Sequence, residues 1–175
     1  MDADYPSRWV IFACRLTPGY RNAARTAGAT APVCRPPRFR ETASGFCGGC
    51  TACRDVCPSA IIVRDPDRQG PYLDFSQGRC TLCYLCAGAC PKGVLTLPNE
   101  GERTAIGRAR LIRDRCLVRE GCSICIERCP EGALTLIFGR TIRVSKRRCT
   151  GCGGCRHACP AKPKAMSIEP LNGRP

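Results

Sequence analysis

Four cysteine-rich runs dominate the sequence, and each of them ends in Cys-Pro. They hold sixteen of the eighteen cysteines. Three runs share the spacing C-x2-C-x2-C-x3-C-P, whereas the third run along the chain has five residues between its first two cysteines. In chain order the runs are Cys47, Cys50, Cys53 and Cys57; Cys80, Cys83, Cys86 and Cys90; Cys116, Cys122, Cys125 and Cys129; and Cys149, Cys152, Cys155 and Cys159. Thiolates are soft ligands for iron and zinc, so each run is a candidate metal centre.

The spacing favours iron over zinc. C-x2-C-x2-C-x3-C-P is the bacterial pattern of cysteine ligands to a [4Fe–4S] cluster. Zinc sites with four cysteine ligands usually use two separated pairs instead. A disulfide framework would need a secreted chain, and the sequence shows no secretory signal. We therefore predict four [4Fe–4S] clusters with the sixteen cysteines as iron ligands, or three clusters if the third run is empty.

Short apolar segments between the runs must position these cysteines. Segments 60–63 and 72–75 flank a turn, and segments 133–138 and 141–145 flank a tighter one, so each pair predicts a hairpin. Further strands are predicted at 93–97, 110–113 and 165–168. The order of cysteine loop, helical turn, strand, turn and strand repeats along the chain. The repeat predicts an α+β fold of tandem bacterial-type two-cluster ferredoxin units with little other secondary structure.

This repeat divides the chain into five parts. They are a basic, Pro/Ala/Arg-rich N-terminal tail expected to be flexible (1–46), a first two-cluster unit (47–98), a linker (99–109), a second two-cluster unit (110–170) and a short tail (171–175). Cys14 and Cys34 lie outside the runs and are expected to be free thiols.

The pairing of the runs decides which cysteines share a cluster. In two-cluster ferredoxins the fourth cysteine of a run binds the other cluster. With tandem pairing, Cys57 and Cys90 exchange clusters, and so do Cys129 and Cys159. A nested pairing, of the first run with the fourth and the second with the third, would change the exchange partners but not the ligands.

The composition suits a fold that metal holds together. Of the 175 residues only 6% are aromatic and one is Trp, so a conventional hydrophobic core would be thin. Bound clusters crosslink the chain, and their binding energy becomes folding energy. We therefore expect the iron-free chain to be largely unfolded.

The net charge bears on the partner. The formal charge is +14 at pH 7, but each [4Fe–4S] cluster with its four thiolates adds about −2, which leaves about +6. Such a surface suits an acidic protein or a nucleic acid. Nucleic acid is the weaker alternative, because the arginines are spread around the cysteine loops without interleaved stacking aromatics.

Several function classes are disfavoured. The sequence has no apolar run long enough to span a membrane. Unpaired cysteines and oxygen-labile clusters predict the reducing cytoplasm. The predicted clusters are fully ligated by cysteine, which leaves no open iron for a substrate. We therefore expect an electron-transfer or maturation protein rather than an enzyme, with no small-molecule substrate.

Three features resemble a more specific family. Arg35-Pro-Pro37 precedes the first run, Gly70-Pro-Tyr-Leu-Asp-Phe75 leads into the second, and the third run is widened. Together they resemble the ferredoxin-type accessory proteins of the periplasmic nitrate reductase system (NapF-type polyferredoxins), over about residues 35 to 170.

The resemblance implies a partner. Members of that family are cytoplasmic iron–sulfur proteins that bind the precursor of the catalytic molybdenum subunit before its export and assist its maturation. For this chain it therefore implies the precursor form of the catalytic subunit of periplasmic nitrate reductase as partner. The alternative is a ferredoxin-like electron-transfer subunit of another respiratory oxidoreductase complex.

Overall fold

The computed structural model describes residues 33–64 and 69–171, and its regular elements are short. The helices are α1 (Ala52–Asp55), α2 (Leu85–Gly88), α3 (Ile124–Glu127) and α4 (Gly154–Ala158), with 3₁₀ turns at Glu41–Cys47, Arg113–Arg115 and Leu117–Glu120. The strands are β1 (Ile62–Val63), β2 (Tyr72–Leu73), β3 (Gly107–Leu111), β4 (Leu134–Ile137), β5 (Thr141–Val144) and β6 (Met166–Pro170). None of the helices in these ranges is long and apolar enough to cross a membrane.

The strands form three separate antiparallel pairs. β1 pairs with β2, β4 with β5, and β3 with β6. The β1–β2 pair sets Ile62 opposite Leu73, and the β4–β5 pair sets Leu134 opposite Val144. These two hairpins each connect two cysteine runs, as the alternating apolar segments predict.

The two halves of the described chain, residues 33–98 and 99–171, follow the same plan. Each half has two cysteine loops, two short α-helices and one hairpin between the loops. The β3–β6 pair closes the second half, and a single antiparallel bridge between Phe39 and Leu95 takes its place in the first. The fold is therefore a tandem arrangement of two similar α+β units with small helices and short antiparallel strands, as the repeat predicts.

The strand bounds differ from the prediction at particular residues. β2 ends before Asp74, whose N–H still donates to the Ile61 carbonyl at 2.8 Å and whose carboxylate accepts a hydrogen bond of 2.9 Å from the Ser76 N–H. The predicted strand 93–97 is reduced to the bridge at Leu95, since Phe39 is its only strand partner among the described residues. The predicted linker 99–109 ends inside β3. A Cβ at Gly107 would lie 2.5 Å from the Glu169 carbonyl oxygen, so glycine permits this close pairing with β6.

The segment that precedes the first run packs against the first half. The Leu73 N–H donates to the Cys34 carbonyl at 2.8 Å, and the Arg40 N–H donates to the Val94 carbonyl at 2.9 Å. The Arg35 guanidinium lies 4.9 Å from the centre of the Phe39 ring. Residues 33–46 of the predicted tail thus have backbone and side-chain partners in the fold, while residues 1–32 lie outside the described ranges.

Cysteines supply part of the small core. The first half buries Cys53 and Cys86 among apolar side chains that include Ile61, and the second half buries Cys125 and Cys155 with neighbours such as Met166. The metal-ligand candidates are therefore also core residues, as expected for a domain with few large apolar side chains.

Candidate metal centres

The sixteen cysteines of the four runs line four cavities, with four cysteines in each. Site I is lined by Cys47, Cys50, Cys53 and Cys90; site II by Cys57, Cys80, Cys83 and Cys86; site III by Cys116, Cys122, Cys125 and Cys159; and site IV by Cys129, Cys149, Cys152 and Cys155. Every site takes three cysteines from one run and the fourth from the other run in the same half. This is the exchange that tandem pairing requires, and the nested pairing is not the one observed.

One short helix in each run explains the exchange. The third cysteine of each run lies on the helix, as Cys53 does on α1 and Cys125 on α3, and it is buried. The fourth cysteine comes four residues later, after the helix has ended. At Cys159, for example, the backbone is already extended, with φ −62° and ψ 123°. Because the helix ends between them, the third and fourth cysteines of a run line two neighbouring sites. The proline after the fourth cysteine cannot continue the helix.

The wider third run reaches the same arrangement. Its additional residues form the 3₁₀ turn Leu117–Glu120, which ends at Gly121 with φ +86°. The Cys122 N–H then donates to the Leu117 carbonyl at 3.2 Å, and Val118 is buried in the core of the second half. The five-residue gap is thus a compact turn that returns Cys122 to the cavity of site III.

Backbone N–H groups point at several of the cysteine sulfurs. The donors to the fourth cysteines are Leu95 to Cys90 Sγ at 3.5 Å, Ala133 to Cys129 Sγ at 3.3 Å and Ala165 to Cys159 Sγ at 3.4 Å. Leu82 donates in the same way to Cys80 Sγ at 3.4 Å, and Ala109 to Cys149 Sγ at 3.4 Å. Hydrogen bonds to the ligand sulfurs are among the factors that set the potential of an iron–sulfur cluster.

Burial and the proximity of other cysteines disfavour the thiolate form of several cysteines in the sites. Burial, reinforced by neighbouring cysteines, raises the pKa of Cys86 and of Cys155 to about 12. The same causes raise the pKa of Cys125 to about 11. The exposed Cys83 differs, because the Leu85 N–H and then the Thr81 hydroxyl lower its pKa by hydrogen bonding. Four crowded sulfurs therefore need a compensating positive charge, which iron supplies when thiolates bind it.

The cavities fit one kind of group. Each offers four sulfur donors, and site III offers as many as the three regular sites. Four cysteine sulfurs are the donor set of a [4Fe–4S] cluster. Within the described ranges, no group of three or more His, Cys, Asp or Glu side chains is placed to hold a single metal ion.

Basic side chains donate hydrogen bonds to backbone carbonyls of the ligand loops, a role that no sequence pattern predicts for them. Arg64, which lines site I, donates through Nη1 to the carbonyl of Cys47 and, at 2.8 Å, to that of Cys50. Arg108 bonds the Cys149 carbonyl at 2.8 Å, and Lys164 bonds that of Cys159 at 2.6 Å. Only the general excess of positive charge pointed to them, since the partners are backbone carbonyls and those of Arg64 and Arg108 lie 14 and 41 residues away in sequence.

The two cysteines outside the runs stand apart from these sites. Cys34 is a free, buried thiol that lines none of the four cavities, and its Sγ lies 3.7 Å from the Ile168 carbonyl oxygen. Burial raises its pKa to about 11. Cys14 lies outside the described residues.

Comparison with known protein families also indicates [4Fe–4S] clusters. The family model for the 4Fe-4S dicluster domain matches residues 46–94 and again residues 79–133. The second match joins the second and third runs, whose cysteines line sites in different halves, because successive runs carry similar spacing. None of the curated proteins matches this chain. The two family matches together span residues 46–133, half of the 175-residue chain, and the chain belongs to the 4Fe-4S dicluster domain family.

Proposed function

We propose that this protein is an electron carrier with four [4Fe–4S] clusters, one in each of sites I to IV, and with the sixteen lining cysteines as iron ligands. One observation carries the proposal: four cavities each gather three cysteines from one run and a fourth from the other run in the same half. Family membership supports the type of cluster. The count of four and the ligand set rest on the cavities.

The residues around each site suit a carrier. A bound [4Fe–4S] cluster supplies reversible electron transfer at a potential set by hydrogen bonds, charge and solvent access. Here the Leu95 N–H donates to Cys90 Sγ and the Ala133 N–H donates to Cys129 Sγ, which fixes the orientation of both sulfurs. Apolar residues such as Val94 at site I and Met166 at site III exclude water. Four thiolates complete the coordination of the irons, so we propose no substrate site and no enzyme activity.

We further propose that the carrier is an accessory protein of the periplasmic nitrate reductase system. In this role it binds the precursor of the catalytic molybdenum subunit in the cytoplasm. Two of the three features that resemble that family also contact each other. Arg35 donates to the Pro71 carbonyl at 3.1 Å, and the ring of Phe39, two residues after the first feature, packs against Gly70 of the second. Pro71 lines site I and Pro37 lines site II, so these residues brace the proposed clusters of the first half.

The surface of the second half suits an acidic protein partner. Residues 132–168 include eight Lys or Arg and no Asp or Glu. Phe138, at the turn between β4 and β5, is 93% exposed, and its φ of +48° is uncommon for a bulky side chain. Arg140 and Arg143 beside it are exposed. An exposed phenyl ring among cations fits an acidic surface that contains an apolar pocket.

The alternative function is a permanent electron-transfer subunit of another respiratory oxidoreductase complex. The specific observation in its favour is that ligand residues of the two halves touch, since the Cys80 N–H donates to the Cys152 carbonyl at 2.8 Å. A direct contact between ligand residues of the two halves suits electron transfer through all four proposed clusters, as a subunit of a larger complex would require. A permanent subunit is recovered at a fixed ratio with its complex, whereas an accessory protein is recovered only with the precursor.

An anaerobic affinity purification from the cytoplasm of cells that respire nitrate tests the proposal, with iron counted on the same eluate. We expect the nitrate reductase precursor and about sixteen irons per chain. The variant Phe138→Ser should lose the precursor and keep its iron. Leu97→Ser is the matched control, because Leu97 is 60% exposed on the first half. Recovery of a stoichiometric complex without the precursor would favour the alternative, and salt-sensitive nucleic acid alone would refute both.

A further inference from the structure

We propose that the four clusters form a single line in the order I–II–IV–III, with electrons crossing between the halves from site II to site IV. This inference rests on the proposed function, because it requires a cluster in each site. It adds an order, two ends and a crossing point, none of which follows from a family of two-cluster domains.

Sites I and II are neighbours because the first cysteine run contributes ligands to both and because the helices that carry their cysteines pack together. Cys53 lines site I, and Cys57, four residues later, lines site II. In addition α1, which carries Cys53, packs on α2, which carries Cys86 of site II. The shared run and the packed helices keep the two cavities adjacent.

The same construction joins sites III and IV in the second half. Cys125 lines site III, and Cys129, four residues later, lines site IV. Here α3, which carries Cys125, packs on α4, which carries Cys155 of site IV. Each half therefore contains one adjacent pair of sites.

Three contacts between the halves involve residues of site IV, and one of them reaches site II directly. The Cys80 N–H donates to the Cys152 carbonyl at 2.8 Å, which directly links a site II residue to a site IV residue. The Phe75 ring packs on Gly153, which also lines site IV, so closely that a Cβ there would lie 2.5 Å from Phe75 Cε1. A third lining residue of site IV, Ile168, has its carbonyl oxygen 3.7 Å from Cys34 Sγ.

These contacts set the order of transfer. Electron tunnelling weakens steeply with distance, so each electron moves between adjacent clusters. The adjacent pairs are I–II, II–IV and IV–III, which makes sites I and III the ends of the line. Ile142 of β5 lines site III and Leu134 of β4 lines site IV, so the hairpin that bears Phe138 and the exposed arginines lies beside both sites of the second half. The line therefore assigns the second half, which ends at site III, to the acidic partner and the first half, which ends at site I, to the electron source.

Electron paramagnetic resonance of the reduced holoprotein tests the order, because adjacent reduced clusters couple magnetically. The double variant Cys50→Ser, Cys122→Ser removes sites I and III, and we expect its two remaining clusters, II and IV, to be coupled. The matched double variant Cys83→Ser, Cys152→Ser leaves sites I and III, and we expect two uncoupled spectra. The single variant Cys83→Ser should leave site I uncoupled while the III–IV pair stays coupled.

The outcomes separate this inference from the proposed function. Suppose that the wild type holds about sixteen irons and the first double variant about eight irons per chain. Uncoupled spectra in that variant would then overturn the proposed order of the clusters, while the four-cluster electron carrier would stand. Site I coupling that survives Cys83→Ser, a variant that removes only one site, would overturn that order too. Fewer than about sixteen irons in the wild type would instead overturn the four-cluster function itself.

Discussion

The packing of Phe75 on Gly153 predicts a specific loss of stability in the variant Gly153→Ala. Gly153 has φ +83°, and an added Cβ would lie 2.5 Å from Phe75 Cε1. The left-handed backbone costs an alanine roughly 1–2 kcal/mol. Overpacking adds typically about 1–3 kcal/mol, because the buried ring must shift. We therefore expect Gly153→Ala to destabilise the holoprotein by about 2–5 kcal/mol.

Gly139→Ala is the matched control, since it isolates the backbone term. Gly139 has φ +64°, but an added Cβ meets no described atom within 4 Å. Its expected cost is therefore the backbone penalty alone, about 1–2 kcal/mol.

The assay is urea unfolding of both holoproteins, followed by the visible absorbance of the clusters after one fixed incubation time. The extra 1–3 kcal/mol of Gly153→Ala should lower its midpoint by roughly 0.5–1.5 M relative to Gly139→Ala, with a slope of about 2 kcal/mol per M. Phe75→Leu should recover part of the loss in the Gly153→Ala background, because the smaller side chain makes room for the methyl group. Equal midpoints for the two glycine variants would refute the reasoning.

Three further predictions concern the clusters themselves. Cys122→Ser should lower the iron content to about twelve per chain, because it removes one ligand of site III. An unchanged iron count would contradict the assignment of Cys122 as an iron ligand. Iron removal with a chelator should abolish most far-ultraviolet circular dichroism, because cluster binding supplies folding energy, and a cooperative thermal transition in the iron-free chain would contradict this. Arg64→Ala should speed iron loss to a chelator, because the Cys47 and Cys50 carbonyls lose their donor; Arg143→Ala, an exposed change away from that loop, should not.

The grouping of the cysteines follows from local sequence to a large extent. Three cysteines two residues apart fold into one loop around a shared cavity, and the next cysteine lies beyond the end of a one-turn helix. Local sequence does not decide between tandem and nested pairing of the runs. Both pairings use the same runs and the same ligands, so only the position of Cys90 beside Cys47 and of Cys159 beside Cys116 distinguishes them.

Other features depend on tertiary contacts that no periodicity reveals. Residues 33–40 have no regular pattern, and they pack because Arg35 contacts both Phe39 and the Pro71 carbonyl. The segment 93–97 has the residues of a strand, but a strand also needs a partner, and Phe39 supplies one bridge only among the described residues. Arg64 lay in a predicted turn, and its role appears only when the fold brings it to the first cysteine loop.

The most direct test of the four-cluster claim is an iron and acid-labile sulfide count on anaerobically purified holoprotein, normalised to chain concentration by amino-acid analysis. Four [4Fe–4S] clusters predict about sixteen irons and about sixteen sulfides per chain. A count of about twelve of each would contradict the assignment of one site, and zinc in place of iron and sulfide would contradict the account as a whole.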